Sequence, residues 1–379
     1  MQITDIEAIP LESPVDTIQM RTGKKEQSVA VLPVLVKVHT DAGITGLGET
    51  LTYDPAGEEA KFTAQGVRAL EQHVVGKDPL EVNQRWSELY QHAKRNGAFK
   101  PLSAIDEALW DIVGKNADEP LYELLGGKTN DVAAYATFPH RKPTDELVED
   151  GSWLAEAGFD TMKITVGAGV ETDRERIETI ADSLPSGFGF AMDANTSYSY
   201  SDALRLARTA EKLEMEWFEE PISHTDIEGQ AKLNRQVDVP IAAYQSYYPH
   251  YPAVDHLRAN ALEVYQPALY LCGGVTAGNR VATLTEAFDK RFVPHAFGPL
   301  VNYAASLHVC VACPACDLIE FAVYDDEVED PGQYVASPYV ANQDEFGLRD
   351  DGTISPPDMP GLGVKLDESV VEDLRIDLA

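Results

Sequence analysis

From about residue 131 onward, short apolar runs alternate with stretches whose apolar positions recur at helical spacing. The runs are Val132-Ala-Ala-Tyr-Ala-Thr137, Thr161-Met-Lys-Ile-Thr-Val166, Gly189-Phe-Ala-Met-Asp-Ala-Asn195, Glu216-Trp-Phe-Glu-Glu-Pro221, Val239-Pro-Ile-Ala-Ala-Tyr-Gln245, Ala261-Leu-Glu-Val-Tyr-Gln-Pro-Ala268, Arg291-Phe-Val-Pro-His295 and Asp317-Leu-Ile-Glu-Phe321. Repeated units of this kind, a short strand followed by a helix, build a parallel sheet that closes into a barrel. The expected fold class is therefore α/β, a modified (β/α)8-type TIM barrel over residues 126–339. Residues 1–125 do not repeat. Val29 to Val38, a turn at Thr40-Asp-Ala-Gly43 and Ile44 to Glu49 read as a hairpin, and helices are expected over Ala60 to Val75, Pro79 to Ala93 and, behind a Ser103 cap, to Val113. This α+β module caps the barrel, and the Asp-, Gly- and Pro-rich tail 340–379 is expected to return to it. The glycine pair in Leu124-Leu-Gly126-Gly127 reads as a helix stop at the junction, because Tyr122 stands where a phosphate loop needs its first glycine.

Three of the strand runs carry an oxygen-bearing side chain near the end at one spacing of 26 residues: Asp193, Glu219 and Gln245. Chemistry in such barrels gathers at the C-terminal strand ends, so this ladder reads as a site for a hard cation, Mg²⁺. An amide at the third position lowers the charge of the site by one unit. Restoring it by Gln245→Glu is expected to tighten the ion.

Charge narrows the partners. With 30 Lys and Arg against 63 Asp and Glu, the net charge of −33 repels nucleic acid and anionic membranes, while 44% hydrophobic residues support a folded core. The excess matches the carboxylate-covered surface of halophilic proteins, and the absence of a leader or long apolar span points to the cytoplasm. Unscreened carboxylates repel one another, so the melting temperature should rise from low to molar salt. A salt-independent melt contradicts this reading. Cys310-Val-Ala-Cys313-Pro-Ala-Cys316 continues a helical stretch that starts near Asn302, which favours buried thiols over a metal cluster.

Ser103-Ala-Ile-Asp-Glu-Ala-Leu-Trp-Asp111, Leu124-Leu-Gly-Gly-Lys128, Lys163-x-Thr165, Asp193-Ala-Asn195, Trp217-Phe-Glu-Glu-Pro221, Cys272-Gly-Gly-Val275 and Val293-Pro-His295 resemble, in order and spacing, the signatures of the mandelate racemase and muconate lactonizing branch of the enolase superfamily. The resemblance covers nearly the whole chain. It implies Mg²⁺-dependent abstraction of the proton α to a carboxylate, with Lys163 helping to neutralise the substrate carboxylate, His295 as base, acid or both, and Glu320 as a hydrogen-bonding acid. It also implies a homo-oligomer. The chain departs from the family pattern at Thr165, where a base lysine is expected and a hydroxyl cannot serve unaided, at Ala268, where the carboxylate partner of His295 is expected, and at Gln245.

The remaining assignments follow. Asn195, two residues beyond Asp193, faces substrate or a metal-bound water, or caps the next helix; Glu220 alternates outward as a structural residue. Thr165, Lys25 and Tyr53 are candidate substrate contacts, the latter two from a lid formed by Thr17 to Lys25, with Arg21 and Lys24, and by a turn from Glu49 to Tyr53. The expected activity is that of a lyase dehydrating an acid sugar. A carboxylate-binding or catalytically inactive barrel is the alternative, and a third reading moves the base to His140, Tyr244 or Tyr247. Racemases and cycloisomerases of the branch, which use the lysine replaced by Thr165, fit less well.

Overall fold

In the computed structural model of the protein, which describes residues 1–13, 18–22, 25–54, 56–127, 131–138, 141–324 and 328–378, only the backbone is described for residues 18–22 and 25–28. Five strands open the chain: β1 (Ile3–Pro10), β2 (Ile18–Thr22), β3 (Lys25–Val29), β4 (Val31–Thr40) and β5 (Thr45–Tyr53). β1, β4 and β5 form an antiparallel sheet in that order, and β2 pairs with β3 as a separate hairpin. The expected loop from Thr17 to Lys25 is thus largely a hairpin, although Thr17 and Lys24 lie outside the described residues. Glu49 to Tyr53 is likewise no turn but the second half of β5.

The helices α1 (Glu58–Glu71), α2 (Val82–Asn96) and α3 (Phe99–Ala117) cover this sheet. α3 comes so close to β5 that a methyl at Gly48 would sit 1.9 Å from the Ala104 carbonyl oxygen, and one at Gly46 2.1 Å from that of Ala108. Only hydrogen fits there. Gly48→Ala is expected to cost about 1–3 kcal/mol through overpacking, read by urea unfolding; an unchanged midpoint would mean that the helix shifts freely.

Ser103 is not a cap. The helix begins four residues earlier, and the Ser103 hydroxyl donates to the Phe99 carbonyl while accepting from Gly273 N. The acids beside it tie α3 to three neighbours: the barrel helix that begins at Gly274, strand β5 of the cap, and the C-terminal tail. Asp106 accepts from Thr276 N and Oγ1, Glu107 from Glu49 N, and Asp111 from Leu47 N and Leu362 N. These bonds satisfy amides that would be costly to bury unpaired. The α4 turn (Leu121–Leu124) then stops as expected, with Gly126 left-handed and Gly127 N bonded to Tyr122 O.

The barrel runs β6 (Val132–Thr137), α5 (Thr144–Glu156), β7 (Thr161–Thr165), α6 (Val170–Ser183), β8 (Gly189–Asp193), α7 (Tyr200–Lys212), β9 (Phe218–Glu219), α8 (Ile227–Asn234), β10 (Ile241–Ala243), α9 (Pro252–Ala259), β11 (Val264–Tyr265), α10 (Leu269–Cys272), α11 (Gly274–Ala287), β12 (Arg291–Phe292), α12 (Leu300–Ala312) and β13 (Leu318–Ala322). All eight strands are parallel, in the order β12-β11-β10-β9-β8-β7-β6-β13. A bond from Phe292 N to Ala315 O links the ends of that order. Where an eighth helix would follow β13, the tail instead lays β14 (Thr353–Ile354) antiparallel against β6, then forms α13 (Glu368–Asp373) and pairs Ile376 N with Pro10 O of β1. This is the modification of the barrel.

Inside the barrel, Tyr135, Ala191, Trp217, Ala242, Val264, Val293 and Leu318 form one buried layer. Two rings meeting edge to face at 5.0 Å fill the space left by the alanines. All four cysteines are free thiols, and Cys272, Cys310 and Cys313 are buried.

Candidate active site

Strand register places the ladder. Thr165 pairs with Asp193, Asp193 with Glu219, and Glu219 with Ala242, so the polar side chains stand at one level on the rim above the packed layer. Lys163 and Thr165, two apart on β7, share a face. Gln245 sits just beyond β10. Of the non-glycine residues with positive φ, four cluster here: Asn195 (43°), Thr196 (58°), Glu220 (39°) and Tyr244 (113°). A left-handed non-glycine backbone costs about 1–3 kcal/mol and is retained chiefly where surrounding structure enforces it, often at functional sites.

Lys163 is the hub. Its Nζ lies 3.1 Å from Glu219 Oε2 and 2.9 Å from Glu320 Oε1, and 5.6 Å above the Tyr135 ring. Glu219 Oε2 also accepts from Gln266 Nε2 at 2.9 Å and Trp217 Nε1 at 3.3 Å, whereas its Oε1 is buried without a hydrogen-bond partner. Asp193 accepts from Asn195 N at 2.7 Å and Asn195 Nδ2 at 2.9 Å. Glu320 Oε2 takes the amides of Ala296 and Phe297 at 3.0 and 3.1 Å, and His295 Nδ1 lies 3.0 Å from the same oxygen, at ion-pair distance without hydrogen-bond alignment.

Burial alone pulls the Lys163 ammonium down, but the Glu219 and Glu320 carboxylates outweigh it and hold its pKa well above the usual lysine value. Burial pushes Glu320 up, and Lys163 and His295 outweigh it, so this group is held well below the ordinary carboxylate range. Glu320 is thus held toward its anionic form in this arrangement, whereas the resemblance expects a hydrogen-bonding acid there. Asp193 is driven the other way, well above its usual value, by burial and by Glu219, and Glu220 rises to about 7 for the same reasons. Crowded carboxylates, together with the orphaned Glu219 Oε1, leave the site short of positive charge. Oxygen donors from Asp193, Glu219 and the Gln245 amide suit a hard cation, so Mg²⁺ fits.

The structure brings together Lys163, Thr165, Asp193, Asn195, Glu219, Gln245, His295 and Glu320. Asn195 binds Asp193 and does not cap α7, whose cap is Ser199. Tyr53 approaches from β5: its hydroxyl, bonded to that of Tyr270, is pushed well above its usual pKa by burial first and then by Tyr270 and Glu320. Lys25 lies on the β3 backbone, and its side chain, with those of Arg21 and Lys24 and with all of His140, is outside the described residues. Tyr244 donates to Pro249 O and Tyr247 is pushed up to about 12 by burial and Glu220, so neither phenol suits base duty near neutral pH.

Glu220 does not face outward. Its positive φ breaks strand alternation, and the buried carboxylate accepts from Gln245 Nε2 at 2.9 Å. Gln266 and Trp217 were missed although alternation exposes them: Val264 faces the barrel interior, and Gln266 is two positions on. Tyr270 and Tyr324, whose pKa values Glu320 also helps to raise, carried no comparable signal.

Comparison with known proteins agrees with this geometry. The mandelate racemase / muconate lactonizing enzyme N-terminal domain matches residues 5–126, and the enolase C-terminal domain-like model matches residues 146–370. The chain belongs to the mandelate racemase / muconate lactonizing enzyme branch of the enolase superfamily. It is 27% identical to arabinonate dehydratase of Saccharolobus solfataricus over 90% of either chain. It is 29% identical to D-galactarolactone cycloisomerase of Agrobacterium fabrum over 97% of this chain and 96% of that one. A racemase from Streptomyces coelicolor, solved with bound magnesium, superimposes with a TM-score of 0.85 at 25% identity, covering 99% of this chain and all of its own.

Proposed function

We propose that this protein is a lyase that dehydrates an acid sugar to a 2-keto-3-deoxy acid, with His295 handling the protons. One observation carries the reading: His295 presents Nδ1 to Glu320, an anion pinned by Lys163 and two backbone amides. The charge of an ionised carboxylate 3.0 Å away favours the proton on Nδ1, and a small ring rotation would align the bond, which leaves Nε2 as the base. Glu320 thereby stands in for the carboxylate missing at Ala268.

Lys163 has three N–H donors, of which two point to Glu219 and Glu320. The third is available to the substrate carboxylate. Asp193, Glu219 and Gln245 would hold Mg²⁺, which when bound neutralises the charge that develops on that carboxylate. His295 Nε2 takes the α-proton; the electron pair forms the C–C double bond as the β-hydroxyl departs with that proton as water, and the enol tautomerises to the keto acid. In this reading Tyr53, Thr165 and Asn195 meet the sugar hydroxyls.

The same proposal extends to a homo-oligomeric, salt-adapted, cytoplasmic enzyme. The acidic composition supports the salt adaptation alone. No helix among the described residues is long and apolar enough to cross a membrane. A purely binding or inactive barrel is favoured by the departures at Thr165, Gln245 and Ala268. The test is a panel of aldonates, aldarates and sugar lactones with Mg²⁺, assayed for 2-keto-3-deoxy acids. Keto-acid formation from at least one aldonate or aldarate is expected, and uniform silence with demonstrable ligand binding would favour the inactive barrel.

A further inference from the structure

We infer that Glu220 carries the negative charge that Gln245 lacks, and that the pair forms a relocated carboxylate which orients the Gln245 amide toward the cation. This rests on the cation reading of Asp193 and Glu219 given above.

The geometry is specific. Gln245 Nε2 donates to Glu220 Oε2 at 2.9 Å, and a cation at the site favours the ionised form of Glu220, which can only accept. That turns the amide oxygen away from Glu220 and leaves it as the end available to a metal. Glu220 is 3% exposed, and its Oε1, like Oε1 of the adjacent Glu219, is buried with no hydrogen-bond partner. Two unpartnered carboxylate oxygens side by side in the sequence, on fully packed residues, are costly unless a cation or its bound water meets them. The backbone holds Glu220 in this unusual posture: φ is +39°, its N–H bonds to Ala242 O, and its carbonyl accepts from Thr196 N. A strand in regular alternation would have sent this side chain out of the barrel.

The consequence reverses the expectation drawn from the ladder alone. A glutamate at 245 would be set directly against the Glu220 carboxylate, losing the hydrogen bond and gaining repulsion. Gln245→Glu should therefore not tighten the ion. Exchanging the two residues should preserve binding, since Glu220→Gln combined with Gln245→Glu keeps one amide, one carboxylate and one hydrogen bond between them.

The experiment is calorimetry of Mg²⁺ and Mn²⁺ binding to the chelator-treated full chain, with circular dichroism confirming that each variant is folded. Glu220→Gln is expected to weaken binding about 10- to 100-fold, as loss of a partner that orients a ligand does. Gln245→Glu is expected to match the unaltered protein or bind more weakly, and the double exchange to recover to within about threefold of it. Rescue by exchange separates orientation of a ligand from a general structural role. Unchanged binding by Glu220→Gln, a gain of about tenfold or more from Gln245→Glu alone, or no recovery in the folded double variant overturns the inference. If the unaltered protein takes up no cation, or if Asp193→Asn binds as well as it does, the cation reading itself fails, and the inference with it.

Discussion

Replacing His295 with asparagine lowers keto-acid formation by about 10²- to 10⁴-fold, the span that a positioned general acid or base supplies. Asparagine preserves a polar side chain of similar reach but cannot accept the α-proton. Two results accompany it. In D₂O, substrate recovered from the unaltered enzyme keeps its configuration at the α-carbon, because Thr165 leaves the opposite face without a base. Product gains deuterium at C3 when the enol tautomerises. A His295→Asn enzyme as active as the parent, or recovered substrate racemised with deuterium at the α-carbon, would falsify the single-histidine mechanism.

Lys163→Met should be the most damaging substitution to stability at the rim. Lys163 is buried between Glu219 and Glu320, and removing one partner of such a cluster leaves uncompensated charge, costing about 3–5 kcal/mol. The pH dependence has a definite sign. In the unaltered protein Glu320 is held below its ordinary value of 4.5 despite burial, so it adds stability above that pH and loses it as the pH falls. Without Lys163 burial dominates and the carboxyl protonates more readily. The gap between variant and parent is therefore widest near neutral pH and narrows toward about pH 4.5. Urea unfolding of the metal-free proteins across this range reads it directly, and a gap independent of pH would place the cost of the substitution in packing. Activity should be lost at every pH, since no other ammonium among the described residues contacts Glu219 and Glu320.

Much of this molecule follows from local patterns. Eight apolar runs separated by helical segments specify a barrel because each strand must be buried on both faces, and the 26-residue spacing of Asp193, Glu219 and Gln245 places them on consecutive strand ends whatever the loops do. Lys163, His295 and Glu320 are legible through the family resemblance and not through spacing alone. The glycine stop at 126–127 is local as well. Boundaries are less so: α3 starts at Phe99 because its N-terminal turn packs in the cap, and Ser103 serves Gly273 across 170 residues of chain.

What folding added lies in contacts between residues far apart in sequence. Alternation assigns Glu220 to the outside, but a left-handed backbone held by Ala242 and Thr196 turns it to Gln245. Glu320, expected from the resemblance to be a hydrogen-bonding acid, is held toward the anionic form because Lys163 from β7, His295 and the amides after β12 converge on it. In the proposed mechanism the same residue stands in for the carboxylate missing at Ala268, through an approach to His295 that separation along the chain conceals. Residue types and periodicity can be read along one dimension. Protonation state, and the partner that each buried polar atom finds, depend on distances and desolvation that exist only once the strands have closed into a barrel.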